Sequence, residues 1–219
     1  MIELPDFSKK WDYENGFYLT CDTSRLGKIL AHYELFKMAQ GLEGSIVECG
    51  IFKGASFVRF AGFRDLFGHR EQEVIGFDTF GAFPASTLAE DGPHIKHWVE
   101  NAGEQSISKD QLLEVMRKKE LDNNVELVEG DVVETVPAYV KKHPDLQIAL
   151  LNLDTDIYDP AVTILEHFWP KIVPGGVLIL DDYNVFPGET RAVDHYFKNT
   201  PVQIQKFPFA KTPCYIIKE

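Results

Sequence analysis

The sequence is short of cysteine, of basic charge and of long apolar runs, and each shortage closes off a class of protein. Its three cysteines, Cys21, Cys49 and Cys214, are odd in number and widely spaced. No disulfide framework or zinc spacing can be read from them, and a reducing cytosol is the expected compartment. Lysine and arginine total 22 against 34 acids, a formal net charge of −12. Nucleic acid and anionic membrane both require basic surface, so neither is expected as a partner. No stretch reaches the roughly 18 apolar residues of a membrane span. The opening MIELPDFSKKWDYENG lacks the apolar centre of a signal peptide. Internal repeats and low-complexity tracts are also missing.

What is present suits one soluble domain covering 1–219, with 44% hydrophobic and 26% charged residues. Residues 1–24 are polar and aromatic with little periodicity. Ser24 is placed to cap a helix over 25–41, with Leu26, Ile29, Leu30, Tyr33, Phe36 and Lys37 as its stripe and Gly41 as its end. Residues 1–44 thus form an N-terminal helical segment on the substrate side. Strands are expected at 45–50, 73–78, 124–131, 147–154 and 177–181, each followed by a helix: 56–67, 108–120, 136–142, 160–169 and 190–198. Pro160 suits the first position of its helix, with Asp159 as the cap before it. Residues 79–107 read as a long polar loop with Pro84, Gly92, Pro93 and Gly103, and 81–107 as a lid or substrate loop. Two alternating strands, VQIQKF and CYIIK, close the chain. This order predicts an α/β fold: a doubly wound, mostly parallel seven-stranded sheet with helices on both faces and an antiparallel C-terminal strand.

The chemistry gathers at the strand ends. Residues 48–56 read E-C-G-I-F-K-G-A-S. Gly50 and Gly54 let backbone approach a ligand, and Ser56 opens the following helix. Neither G-x-G-x-x-G nor the phosphate-loop spacing is present, and Glu48 would repel a pyrophosphate. Asp78 ends the second strand, where a carboxylate can hold ribose hydroxyls. Asp131 ends the third, within reach of a base amino group. Glu48, Asp78 and Asp131, acids at the ends of the first three strands, describe a cofactor pocket for a nucleoside carrying a positive centre, and S-adenosylmethionine fits. Asp154 ends the fourth strand, and Asp181 and Asp182 end the fifth, its expected neighbour. Three carboxylates at one edge repel unless a hard cation joins them, and all-oxygen ligation suits Mg²⁺. A hydroxyl on that metal loses its proton more easily. Asp156, two residues beyond Asp154, is the candidate base.

Several stretches together carry a resemblance: V-E-C-G-I-F-K-G-A-S at 47–56, G-F-D-T-F at 76–80, V-E-G-D at 128–131, L-D-T-D-I-Y at 153–158, P-G-G-V-L-I-L-D-D-Y at 174–183 and T-R-A-V-D at 190–194. Over roughly residues 25 to 200 the chain resembles class I S-adenosylmethionine-dependent methyltransferases. Among these it is similar to the macrocin O-methyltransferase family, which methylates sugar hydroxyls of macrolide and aminocoumarin antibiotics. The resemblance implies Asp154, Asp181 and Asp182 as metal ligands and Asp156 as base. The triad also resembles that of catechol O-methyltransferase, whose base is a lysine three residues after the first ligand. Here that position is Ile157, which points back to Asp156 and away from a catechol.

Around this centre, Tyr158 and Phe80 read as an apolar wall or as ordinary core. Arg191 reads as a substrate contact or a surface cation, and His97 as a substrate contact. His94 and His97 lack a third partner for a metal. His195 reads as packing or surface, and Cys49 as a small buried strand residue. The expectation is a Mg²⁺-dependent O-methyltransferase acting on a sugar-containing acceptor, with a homodimer plausible. A metal-dependent phosphohydrolase would need a phosphate cradle. A non-catalytic nucleoside-binding protein would have no use for repelling carboxylates.

Overall fold

In a computed structural model, which describes every residue except Ala85, seven strands form one sheet. They are β1 (Ser45–Cys49), β2 (Val74–Asp78), β3 (Val125–Glu129), β4 (Ile148–Leu153), β5 (Ile172–Leu180), β6 (Gln205–Lys206) and β7 (Cys214–Ile217). Their order is β3-β2-β1-β4-β5-β7-β6, parallel through β5, with β7 antiparallel to both neighbours. Every residue of β1 and β4 is buried, as expected of inner strands covered on both faces. One apolar layer packs α6 (Val132–Lys142), α7 (Tyr158–Phe168) and α8 (Pro187–Tyr196) on the sheet. The opposite layer packs α2 (Thr23–Ala39), α3 (Ala55–Leu66) and α5 (Lys109–Lys118). Order reverses between β1 and β4, which pair Cys49 with Leu153, while β4 and β5 pair Leu153 with Leu180. Gly50, Asp154 and Asp181 therefore leave the sheet side by side at the switch point, where open α/β sheets bind ligands.

The helices differ from the sequence expectation in instructive ways. Residues 1–24 hold a 3₁₀ turn at Phe7–Lys9 and a helix, α1, at Lys10–Thr20. Asp22, and not Ser24, caps α2, accepting from the Ser24 amide at 2.7 Å. The buried face of α2 is Gly27, Ala31, His32, Leu35, Phe36 and Ala39, while Leu30 is 52% exposed. Gly27 turns inward because the Phe209 carbonyl crosses there, 2.7 Å from where a Cβ would stand. Within 79–107, Asp91–Ala102 is a helix, α4, and Ala85 lies outside the described residues. The α6 helix begins a turn early, at Val132, capped by Asp131. The α7 helix begins at Tyr158, which puts Pro160 third; its missing N–H costs nothing in a first turn. Asp159 is not the cap: its carboxylate accepts from the Thr87 amide (3.2 Å) and hydroxyl (2.5 Å).

Candidate active site

A cleft of about 440 Å³ opens at the switch point. One half is the turn after β1. Gly50 has φ +90°, and a Cβ there would lie 1.7 Å from the Asp154 carbonyl, so only glycine lets β4 pass. Asp78 holds the turn together. Its Oδ2 accepts from the amides of Ile51 (2.6 Å) and Phe52 (3.1 Å), and its Oδ1 from Phe80 (2.6 Å). Phe52 and Phe80 both sit at φ +51°, a costly region for aromatic residues, and the carboxylate compensates by binding their amides. Asp78, Gly50, Ser56 and Asp131 all line the cleft.

Glu48 does not. It is 0% exposed beneath the turn, where its Oε1 accepts from the Ser56 hydroxyl and the Asn152 amide (3.3 Å), and burial pushes its pKa up to about 8. Expected as a cofactor contact, it instead shapes the floor. Gly54 caps α3 in a left-handed conformation against Leu112 and stays buried behind the wall. Phe80, at 7% exposure, belongs to the core and not to an apolar wall of the site.

The other half is acidic. Carboxylate oxygens of Asp154, Asp156 and Asp182 lie within 4.8 Å of one another. Asp156 sits in the left-handed region (φ +63°), which Asp tolerates better than most residues, so the turning chain still aims it back at Asp154. Burial, and then neighbouring carboxylates, raise the pKa of all three: Asp154 and Asp182 well above the usual range, Asp156 to about 8. Buried Glu189 was not foreseen. Its Oε1 accepts from the Asp182 amide (3.0 Å), and its own amide donates to the Asp156 carbonyl (3.1 Å), so it braces both turns.

Asp181, expected as a third metal ligand, faces a different partner. Lys28 of α2 donates to its Oδ2, and His32 approaches Oδ1 at 3.4 Å. Arg59 of α3 donates to His32 Nδ1 at 3.0 Å; because arginine only donates, Nε2 carries the histidine proton and points to Asp181. Burial pushes His32 down to about 4 and keeps it neutral. Burial also opposes the charge on Lys28, but Asp181, Asp154 and Asp182 outweigh it and raise its pKa; Asp181 falls below the carboxylate range in return. Sequence reading missed Lys28, His32 and Arg59. Their one local signal is the four-residue spacing of Lys28 and His32, which puts both on one helix face.

Do these residues fit a divalent cation? Three crowded carboxylates with raised pKa values and an all-oxygen donor set describe such a site. Asp181 retains lone pairs beyond those that Lys28 and His32 use, so it can still contribute.

The remaining candidates lie elsewhere. Tyr158, Arg191 and His195 line a second, open groove of about 780 Å³ on the outer side of the Asp156–Tyr158 turn. There the Tyr158 hydroxyl is 3.1 Å from His195 Nδ1, and Arg191 stands 5.9 Å from the Tyr158 ring. His97 is exposed on α4 and lines neither cavity; its neighbour Trp98 packs on Phe52 (4.4 Å) and does line the cleft. Cys49 is a buried strand residue, and all three cysteines are free. Among the described residues no helix is long and apolar enough to cross a membrane.

Residues 20–207 match the family described as Macrocin-O-methyltransferase (TylF). The chain is 27% identical over 192 residues to mycinamicin III 3''-O-methyltransferase of Micromonospora griseorubida, covering 84% of this chain and 72% of that one. It is 26% identical over 171 residues to demethyldecarbamoylnovobiocin O-methyltransferase of Streptomyces niveus, 73% of this chain and 60% of that one. Among solved structures, the calicheamicin methyltransferase CalS11 superposes with a TM-score of 0.76 at 25% identity, over 93% of this chain and 83% of that chain. The O-methyltransferase NovP shares the fold, with a TM-score of 0.75 at 22% identity over 88% and 79%.

Proposed function

The chain belongs to the macrocin O-methyltransferase family, and from that premise we propose that it is a Mg²⁺-dependent enzyme moving a methyl group from S-adenosylmethionine to a sugar hydroxyl. The observation that carries this reading is the convergence of Asp154, Asp156 and Asp182 in the same cleft as Asp78 and Asp131. In this reading the nucleoside lies along Gly50, Asp78 and Asp131. Asp154 and Asp182, with the free lone pairs of Asp181, would hold the cation. A divalent cation held there would neutralise the carboxylates and supply Lewis-acid chemistry that acidifies an acceptor hydroxyl. Asp156 takes the proton of the acceptor hydroxyl; burial and Asp154 have already raised its proton affinity. Glu189 keeps Asp156 and Asp182 in register. Holding donor and acceptor in line supplies about 7–11 kcal/mol of the barrier. The acceptor reaches outward past Tyr158 toward Arg191, with residues 81–107 as the lid.

A sugar acceptor is supported by the relatives, of which one acts on mycinamicin III and CalS11 is described as a TDP-rhamnose 3'-O-methyltransferase. The test is calorimetry with S-adenosylhomocysteine, with and without Mg²⁺, followed by labelled-methyl transfer to a panel of nucleotide sugars and glycosides. Binding of the product nucleoside and Mg²⁺-stimulated labelling of a sugar are expected. Methyl transfer that persists in excess chelator would remove the metal from the mechanism, and labelling of phenols alone would remove the sugar.

A further inference from the structure

Among the described residues, two cations on the cleft wall have no ion-pair partner. Arg25, in the first turn of α2, and Arg59, in the second turn of α3, both line the 440 Å³ cleft. Among the described residues neither guanidinium has a carboxylate within 4.0 Å, although the cleft is rich in acids. The nearest competitor for such a carboxylate, Lys28, has already taken Asp181. Among the described residues Arg59 makes one side-chain hydrogen bond, to His32, which is neutral; Glu48, Asp181 and Asp154 favour its charge only from beyond ion-pair distance. A half-buried guanidinium with five donors and a single uncharged partner is costly, and Arg25 adds like-charge repulsion. Such an arrangement persists where an anion completes it. The bracing of Arg59 through His32 to Asp181 also fixes the side of the cleft on which that anion sits. It is the β5 side of the glycine turn, opposite Asp78 and Asp131.

We infer that Arg59, together with Arg25, seats the carboxylate of the amino-acid tail of the methyl donor. The inference rests on the reading of the cleft as an S-adenosylmethionine site. With the nucleoside on the β2–β3 side, the tail must run across the turn to the β5 side, where these two guanidiniums wait. A carboxylate is the group on that tail that an arginine fork receives best. His32 is then a positioning residue: its neutral ring, stacked on Phe60 at 4.9 Å, holds Arg59 without cancelling its charge.

The experiment compares two ligands by calorimetry. One is S-adenosylhomocysteine; the other is its decarboxylated analogue, which keeps nucleoside, thioether and amine. Arg59→Gln should weaken S-adenosylhomocysteine about ten- to a hundredfold and leave the analogue unchanged, so that the preference for the carboxylate collapses. Arg25→Gln should act in the same direction with a smaller effect, because Arg25 is exposed, and Arg59→Lys should recover part of the loss. The unchanged analogue also reports that the variant is folded. Equal loss of both ligands would make Arg59 a structural residue and overturn the inference, as would no loss of either. If S-adenosylhomocysteine is unaffected but a nucleoside diphosphate sugar loses binding, the anion is the acceptor's phosphate and the inference fails. A wild-type protein that binds neither nucleoside overturns the cofactor reading itself, and this inference with it.

Discussion

The two cavities that share the Asp156–Tyr158 turn are built on opposite principles. In the inner cleft, charges are buried and interlocked: Asp181 is 1% exposed and tied to Lys28 and His32, and Glu189 braces Asp182. The outer groove carries charge as freely as any surface: Arg191 faces Glu90 at 3.8 Å with both side chains 62% exposed. Electrostatics that act on a transition state must be fixed before the reaction and shielded from water. Electrostatics that only select a ligand can stay loose and solvated, and pairs of that kind contribute little to stability. The inner cleft therefore has the build of the reacting centre, and the outer groove that of a rim against which acceptors of different shape could rest. The turn between them is held from outside as well. Asp91 of α4, 0% exposed, accepts from the Ser86 hydroxyl (2.6 Å) and from the Tyr158 amide (3.3 Å). Gly188 of α8 lies against that same carboxylate.

Three substitutions probe the contrast, from the inside outward. Asp156→Asn keeps the shape and removes the proton acceptor. Turnover in a labelled-methyl assay should drop about 10²–10⁴-fold, roughly 2.7–5.4 kcal/mol of barrier. Affinity for S-adenosylhomocysteine and Mg²⁺, read by calorimetry, should hold. If Mg²⁺ affinity falls instead, Asp156 is a ligand and the base lies elsewhere. Gly188→Ala tests the shared turn. Its Cβ would stand 2.4 Å from Asp91 Oδ2 and 2.5 Å from the Tyr158 nitrogen. A stability loss of about 1–3 kcal/mol by urea unfolding is expected, with slower turnover of the folded fraction. An unchanged midpoint would mean that the Asp91 anchor gives way freely. Arg191→Ala should cost less than about 0.5 kcal/mol of stability and raise KM for acceptor at constant kcat. A fall in kcat of the size seen for Asp156→Asn would erase the distinction between groove and cleft.

Much of this was legible along the chain. Apolar runs that stop at Gly50, Asp78, Asp154 and Asp181 mark parallel strands and their carboxyl ends, because an inner strand hides both faces and then must release polar chain at the edge. Asp78, Asp154, Asp156 and Asp182 could be named for that reason. Glu48 was named too, but whether a strand's last acid faces the ligand or the floor depends on the pleat and on what lies beneath, here Ser56 and Asn152. The 79–107 segment hid its helix behind Gly92 and Pro93, which are harmless in the first turn of α4. The face of α2 was misjudged because Gly27 and His32 do not look like core residues; one is buried for want of a side chain and the other by its ring stack and polar partners.

By itself, the sequence determined the α/β order, the sheet's inner strands and the supply of carboxylates at one edge, because these follow from local periodicity and from the period of two in a strand. Only the tertiary structure decided how those carboxylates are used. Lys28 meets Asp181 across 153 residues of chain, and Arg59 reaches Asp181 only through a histidine on another helix. Coulombic pairing acts over ångströms of space and carries no signature in sequence spacing, so which acid keeps its neighbours' repulsion and which receives a cation is settled when α2 docks on the sheet.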